Sequence, residues 1–285
     1  FSFAKVPYGT WIIREIESPK GYVLSEEEIA VTIGKVDEVV EIELVNYFIK
    51  GNIALTKVDE DYPDNKLSGA VFEVYSDTNG DGKLDKDDTL LGEMKELDGG
   101  VYQMSELRYG KYLVKETKAP TGFVLDENVY SVSVEENGKT YTVENKAGVG
   151  FINAAQKGSL KIVKTSSDGK VEGFSFRVTG VDYDQTFKTD KNGEIVIEGL
   201  RIGDYTVSEV SDKASAGYIL PADKQATVKV NATAIVQMHN EFRDTPKTGD
   251  DFNLGLWVSL AALSVVGAGV LGFVGYKNRK KKKED

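Results

Sequence analysis

The 285-residue sequence has no cysteine. That absence excludes disulfides, zinc–thiolate sites and cysteine nucleophiles together. A single histidine, His239, excludes a histidine-built metal cluster. His239 falls at the end of a strand pattern beside Asn240, which makes it a poor candidate for a catalytic triad. Positive charge is also scarce: the formal net charge is −11, although six of the 35 Lys and Arg residues crowd into the last nine positions. The rest of the chain is therefore more acidic still, which argues against nucleic acid as a partner. There is no initiator Met and no charged-then-apolar leader at Phe1. No convincing amphipathic helix pattern occurs before residue 250.

What the sequence does contain is a repeat. Tyr109-Gly-Lys-Tyr-Leu-Val-Lys-Glu116 runs on through Ala119-Pro-Thr-Gly-Phe-Val-Leu125. Tyr8-Gly-Thr-Trp-Ile-Ile-Arg-Glu15, leading to Gly21-Tyr-Val-Leu24, is a second copy, and Ile202-Gly-Asp-Tyr-Thr-Val-Ser-Glu209, leading to Gly217-Tyr-Ile-Leu220, is a third. The glycines at 9, 110 and 203 are spaced as one small domain per repeat. Between them lie short alternating runs such as Val71–Tyr75, Tyr130–Val134, Gly193–Ile197 and Ala226–Val230. Asp98-Gly-Gly, Asn137-Gly, Asp168-Gly and Asn192-Gly supply hairpin turns. The pattern predicts an all-β chain of serial β-sandwiches.

Period-two alternation puts side chains on one face of a sheet. Trp11, Ile13 and Glu15 share a face, as do Tyr112, Val114 and Glu116, and Tyr205, Val207 and Glu209. A carboxylate on the apolar side is costly unless something meets it. Two further series supply candidates. Asn46 follows Ile42 and Leu44, Asn153 follows Val149 and Phe151, and Asn240 follows Val236 and Met238; Lys57 follows Ile53 and Leu55, and Lys164 follows Leu160 and Ile162. Asn46 to Lys57 and Asn153 to Lys164 are equal intervals. If first and last strands of a domain are neighbours, a Lys, a Glu and an Asn meet in its core. Such a trio is either a buried ion pair with an asparagine beside it, or the precursor of a covalent bond. Burial lowers a lysine pKa and raises a glutamate pKa, and a neutral amine held against a carboxamide is a nucleophile at high effective molarity.

The triplicated motif resembles the "E-box" of SpaA-like, or Cna B-type, domains of Gram-positive surface proteins. The resemblance covers roughly residues 1–242. It implies an Ig-like, prealbumin-type β-sandwich with an intramolecular Lys–Asn isopeptide. In the second domain it assigns Lys57 as amine, Asn153 as acceptor and Glu116 as proton shuttle, and in the third Lys164, Asn240 and Glu209. The third domain departs from the pattern, with Asp212-Lys-Ala-Ser-Ala-Gly-Tyr in place of the Ala-Pro-x-Gly-Phe turn. Glu15 and Asn46 belong to a first copy that begins mid-strand, so residues 1–47 are expected to be the C-terminal part of a domain in a longer protein. Residues 48–155 and 156–242 are expected to be complete domains.

Asp77, Asn79, Asp81, Lys83, Asp85 and Asp88, with Gly82 and Leu84, have the spacing of a twelve-residue Ca²⁺ loop. The stretch resembles EF-hand and dockerin loops, and reads either as a structural Ca²⁺ site or as a solvated hairpin tip. After a linker over 243–253, the uncharged stretch from Leu254 to Tyr276 spans about 34 Å as a helix, enough for a bilayer, and the basic end over 277–285 is expected in the cytoplasm. Thr245-Pro246-Lys247-Thr248-Gly249 ahead of that span resembles a sortase sorting signal, with Thr where the family usually has Leu. The resemblance implies cleavage after Thr248 and transfer to a peptidoglycan precursor, with sortase and the membrane as partners before sorting. A permanent single-span anchor is the alternative. Three roles fit: a wall-anchored stalk or adhesin for a host or matrix ligand, a pilus subunit, or the stalk of a surface enzyme whose catalytic domain lies upstream. Tyr62-Pro-Asp-Asn-Lys66 is a distant echo of the pilin Tyr-Pro-Lys motif. Nothing in the sequence supports catalysis on an external substrate.

Overall fold

The computed structural model describes residues 1–243. The expected sortase signal Thr245–Gly249, the apolar stretch Leu254–Tyr276 and the basic end lie outside the described residues. Everything assigned is β-strand or turn, and among the described residues no helix is long and apolar enough to cross a membrane.

The first unit contributes two antiparallel strands, β1 (Gly9–Arg14) and β2 (Glu28–Ile33). Ile42, Leu44 and Asn46, expected to share a strand face, take no strand assignment. A strand needs a ladder partner for its N–H and C=O groups. In the other two units that partner is the first strand, and residues 1–47 contain none.

The second unit is a sandwich. One sheet holds β3 (Lys50–Asp59), β6 (Lys95–Asp98), β7 (Val101–Arg108), β10 (Thr140–Thr142) and, at the far end of β3, β11 (Phe151–Asn153). The facing sheet has the order β5 (Thr89–Glu93), β4 (Val71–Ser76), β8 (Gly110–Lys118), β9 (Val129–Val134). Phe72 lies at the centre, with the rings of Tyr102 and Phe151 edge-on at 5.2 and 4.9 Å. The last strand is broken in two. Val149 sits in a turn rather than on the strand face with Phe151, because Asn145 holds Ile152 on both its N–H and C=O while Lys146 closes on Gly150.

The third unit repeats the plan with an unbroken last strand. One sheet runs β15 (Glu194–Arg201), β12 (Lys157–Ser166), β19 (Thr233–Phe242), β17 (Tyr218–Ile219). The other runs β14 (Tyr183–Lys188), β13 (Ser175–Gly180), β16 (Gly203–Val210), β18 (Lys224–Val228). Leu160, Ile162, Phe174, Phe176, Val207 and Met238 are fully buried between them.

The repeated Gly-x-aromatic motif now has a physical cause. Tyr112 Oη and Tyr205 Oη donate back to the carbonyls of Arg108 and Arg201, at 2.5 and 2.8 Å, and Trp11 Nε1 donates to Pro7 at 3.1 Å. In each repeat the aromatic ties the strand it opens to the chain four residues earlier, a corner lock known from other sandwiches.

Consecutive units are joined through one residue. Ile49 N donates to Gly21 O and Ile49 O accepts from Tyr109 N; Gln156 N donates to Gly122 O and Gln156 O accepts from Ile202 N. At the second junction Arg201 also donates to both oxygens of Asp59 at 2.7 and 2.8 Å and to Asp61 at 3.0 Å. At the first, Arg108 stacks 3.9 Å from the centre of the Phe48 ring.

Candidate functional site: the buried Lys, Glu and Asn trios

In the second domain the first and last strands are parallel neighbours. Lys57 lies opposite Phe151 and Asp59 opposite Asn153. Two residues along a strand return to the same face, so Lys57 and Asn153 point together into the core. Glu116 comes from the facing sheet, where β8 pairs it with Phe72. Lys57 and Glu116 are 0% exposed and Asn153 is 3% exposed. Lys57 Nζ donates to the Phe151 carbonyl at 3.1 Å and lies 3.8 Å from Glu116 Oε1. Asn153 Nδ2 donates to Glu116 Oε1 and Oε2 at 3.0 and 2.9 Å, and Asp126 N donates to Oε2 at 2.8 Å. Asn153 Oδ1 is buried without a partner.

Burial dominates the electrostatics. It lowers the Lys57 pKa to about 8, against the opposing pull of the Glu116 and Asp126 charges. It raises the Glu116 pKa, against the Asp126 N–H, the Asn153 amide and the Lys57 charge. Both shifts favour the neutral pair, an amine and a carboxylic acid.

The third domain places its trio at the same register. Lys164 lies opposite Met238 and Ser166 opposite Asn240, while Phe176 pairs with Glu209. Lys164 and Asn240 are buried and Glu209 is half-buried. Asn240 Nδ2 donates to Glu209 Oε1 at 2.7 Å. Lys164 Nζ donates to the Thr165 carbonyl at 2.5 Å and lies 4.3 Å from the centre of the Phe174 ring. Burial again lowers the lysine and raises the glutamate. Asn240 Oδ1 and Glu209 Oε2 are both buried without partners.

The first domain holds a pair only. Asn46 Nδ2 donates to Glu15 Oε1 and Oε2 at 2.8 and 2.9 Å, and Ser25 N donates to Oε2 at 2.8 Å. Both side chains are half-buried, and no lysine among the described residues bonds to Glu15. His239 is exposed on β19, within 2.8 Å of Thr165 Oγ1 and 3.1 Å of Glu241.

The acidic loop joins β4 to β5. Its carboxylates accept from its own backbone: Asp77 from Gly80 and Gly82, Asp81 from Lys83, Asp85 from Asp87, and Asp88 from Thr78 and Asp85. Asn79 Oδ1 accepts from Asp81 N, and Asn79 Nδ2 donates to Asp85 Oδ2 at 3.2 Å. Among the described residues no three acidic or histidine side chains are gathered as a metal ion would require.

Two features of the trios were not visible in the sequence. One is the backbone N–H that Ser25 and Asp126 bring to their glutamates. Its signal is a constant offset, four residues after the turn glycine. The other is Asp126 itself, whose Oδ2 accepts from Tyr130 and Asn145 at 2.6 and 2.8 Å while its charge acts on both Lys57 and Glu116.

The chain is similar to the Bacillus anthracis TIE protein at 26% identity and a TM-score of 0.63, over 84% of this chain and 42% of that one. It thus spans less than half the length of that structure. It also matches the minor pilin of Streptococcus agalactiae at 17% identity and a TM-score of 0.32, covering 70% and 100% of the two chains, and a streptococcal ancillary pilin at 20% and 0.30, covering 84% and 76%. A search of curated proteins gives no match. The SpaA prealbumin-like fold domain matches residues 1–47, 51–147 and 158–242, and the chain belongs to that family.

Proposed function

We propose that this chain is part of a cell-surface stalk of a Gram-positive bacterium, whose domains are stapled by Lys57–Asn153 and Lys164–Asn240 isopeptides. The observation that carries the reading is the double occurrence of a buried Lys and Asn at one register on parallel first and last strands, each pair met by a Glu from the facing sheet. An unpaired charge in such a site is unstable, and the neutral forms that burial favours are the reactive ones. The neutral lysine Nζ attacks Asn Cγ, with the protonated glutamate donating to Oδ1 and polarising the carbonyl. The glutamate then carries a proton from Nζ to Nδ2, the Cγ–Nδ2 bond breaks, and ammonia leaves. One amide has replaced one amine and one carboxamide, with no oxidant or cofactor. Each site turns over once, on its own chain.

The staple joins the strands at which a domain is entered and left, so tension passes through it without unfolding the sandwich. Sortase cleaves the Thr248–Gly249 bond and joins the Thr248 carboxyl to the peptidoglycan precursor, which anchors the stalk. Proteolysis and tandem mass spectrometry test the core of this reading: a branched peptide joining Lys57 to Asn153, and another joining Lys164 to Asn240, are expected, and linear peptides only would refute it. For the anchor, a Thr248→Ala chain should leave the wall fraction.

A further inference from the structure

In the first two repeats the turn after the E-box strand delivers one backbone N–H to its glutamate, and the third repeat departs from that pattern. Four residues beyond the turn glycine stand Ser25 after Gly21, Asp126 after Gly122, and Pro221 after Gly217. The three turns are in register. The carbonyls of Gly21, Gly122 and Gly217 accept from Ile49, Gln156 and Arg243 at 2.9, 2.8 and 2.7 Å. The next residue of each meets the end of the domain, as Tyr22–Phe48, Phe123–Ala155 and Tyr218–Phe242. Ser25 N and Asp126 N each donate to Oε2 of their glutamate at 2.8 Å. Proline has no N–H, and Glu209 Oε2 is buried without a donor.

The remaining contacts differ to match. In the second domain Asn153 Nδ2 straddles both oxygens of Glu116, and Oε2 takes the Asp126 N–H as well. That arrangement, donors on both oxygens, suits a carboxylate. In the third, Asn240 Nδ2 donates to Oε1 alone, and Glu209 Oε2 is left as a buried acceptor; Asn240 Oδ1 lacks a donor, as Asn153 Oδ1 does in the second domain. A proton on Oε2 that donates to Oδ1 satisfies both atoms and closes a two-bond acid–amide pair. It is also the bond that polarises the asparagine carbonyl for attack.

We propose that Pro221 is a positioning residue of the third-domain site: by withholding an N–H, it reserves Glu209 Oε2 for the proton, so this site works to a higher pH than the second. The effect on bond formation rests on the isopeptide reading; the difference in protonation does not. The charged groups facing Glu209 are Lys164 from β12 and Asp212 from the turn after β16, which act in opposite directions, with Lys188 beyond Asp212. Glu116 is faced by Lys57 and Asp126. Burial raises both glutamates, but only Glu116 has a backbone N–H drawing it back.

The test uses the whole chain with Lys57→Met and Lys164→Met, so that no crosslink forms and both carboxyls stay titratable whether or not the wild type reacts. Glutamate side-chain carbons are followed by NMR against pH. Pro221→Ala restores the N–H and should lower the Glu209 midpoint by about one pH unit, the share of a single backbone donor. In the second domain, Asp126→Pro compared with Asp126→Ala isolates the same N–H without the carboxylate, and Glu116 should titrate about one unit higher in the proline variant. Should Pro221→Ala fail to fold, the Asp126 pair alone decides. Midpoints that do not move overturn the role of Pro221. Loss of ammonia from the wild type at high pH tests the crosslink separately.

Discussion

The second and third domains hold the same three residues at the same strand register, yet they bond them differently. Glu116 is wrapped by three hydrogen bonds and lies 3.8 Å from Lys57, whereas Glu209 has, among the described residues, one hydrogen bond and no lysine within ion-pair distance. Lys164 turns instead to the carbonyl of its own neighbour. Identity of the trio therefore does not fix its proton inventory. The turn does, through one backbone position that is aspartate in one domain and proline in the other.

The largest expected effect comes from removing the staple. A link between residues 57 and 153 closes a loop of about 100 residues, and on the chain-entropy model such a loop stabilises by about 4–5 kcal/mol. Asn153→Ala should lower the melting temperature of the second domain accordingly while leaving the third in place, and calorimetry resolves the two transitions. An unchanged second transition would show that no such link exists.

The same variant exposes a pH dependence. With no bond, Lys57 remains an amine held at a pKa of about 8, against about 10.4 in the unfolded chain. Between those values the unfolded state binds more protons, so stability rises with pH, by up to roughly 1 kcal/mol per unit. Below pH 8 both states hold the proton and the slope vanishes. The crosslinked wild type, whose nitrogen is an amide, should lack the slope. Urea midpoints at pH 7, 9 and 10.5 measure it.

The junctions offer a smaller contrast. Arg201 forms a bidentate bond to Asp59, itself two residues beyond Lys57 on β3, and Asp59 is held below the usual carboxylate range by the Arg201, Asp61 and Tyr62 donors. Arg201→Ala should cost about 1.5–3 kcal/mol, the range for hydrogen bonds to a charged group. It should also broaden the distribution of distances between spin labels on the second and third domains. Arg108→Ala, which removes only a stacked contact on Phe48, should broaden the first junction less.

The smallest effect is expected at the acidic loop. Its oxygens are occupied by loop amides, and a Ca²⁺ ion must part the Asn79–Asp85 bond to use them. If the spacing is a calcium site, millimolar Ca²⁺ raises the melting temperature of the second domain by a few degrees. A chelator-insensitive transition would reduce the loop to a hairpin tip.

Much of this was readable in the chain. Period-two alternation put Lys57, Glu116 and Asn153 on inward faces, and the equal intervals from asparagine to the next lysine tied each last strand to the following first strand. Asn137-Gly, Asp168-Gly and Asn192-Gly do turn with positive φ at glycine. Val149 was misread because alternation cannot see a strand interrupted by its own side-chain bracing at Asn145. The strand expected around Ile42 and Leu44 failed for want of a pairing partner. Pro221 was hidden because Glu209 to Gly217 is two residues longer than Glu116 to Gly122, which displaces the alignment at that turn. The Arg201–Asp59 pair joins positions 142 apart with no periodicity to link them.

The measurement that bears most directly on the staples is the intact mass of the purified, unreduced chain. The account requires the loss of two ammonia molecules, one each for the Lys57 and Lys164 sites and none for Glu15 and Asn46, with one loss abolished by Glu116→Ala and the other by Glu209→Ala. A wild-type mass equal to that of the unmodified sequence would contradict it.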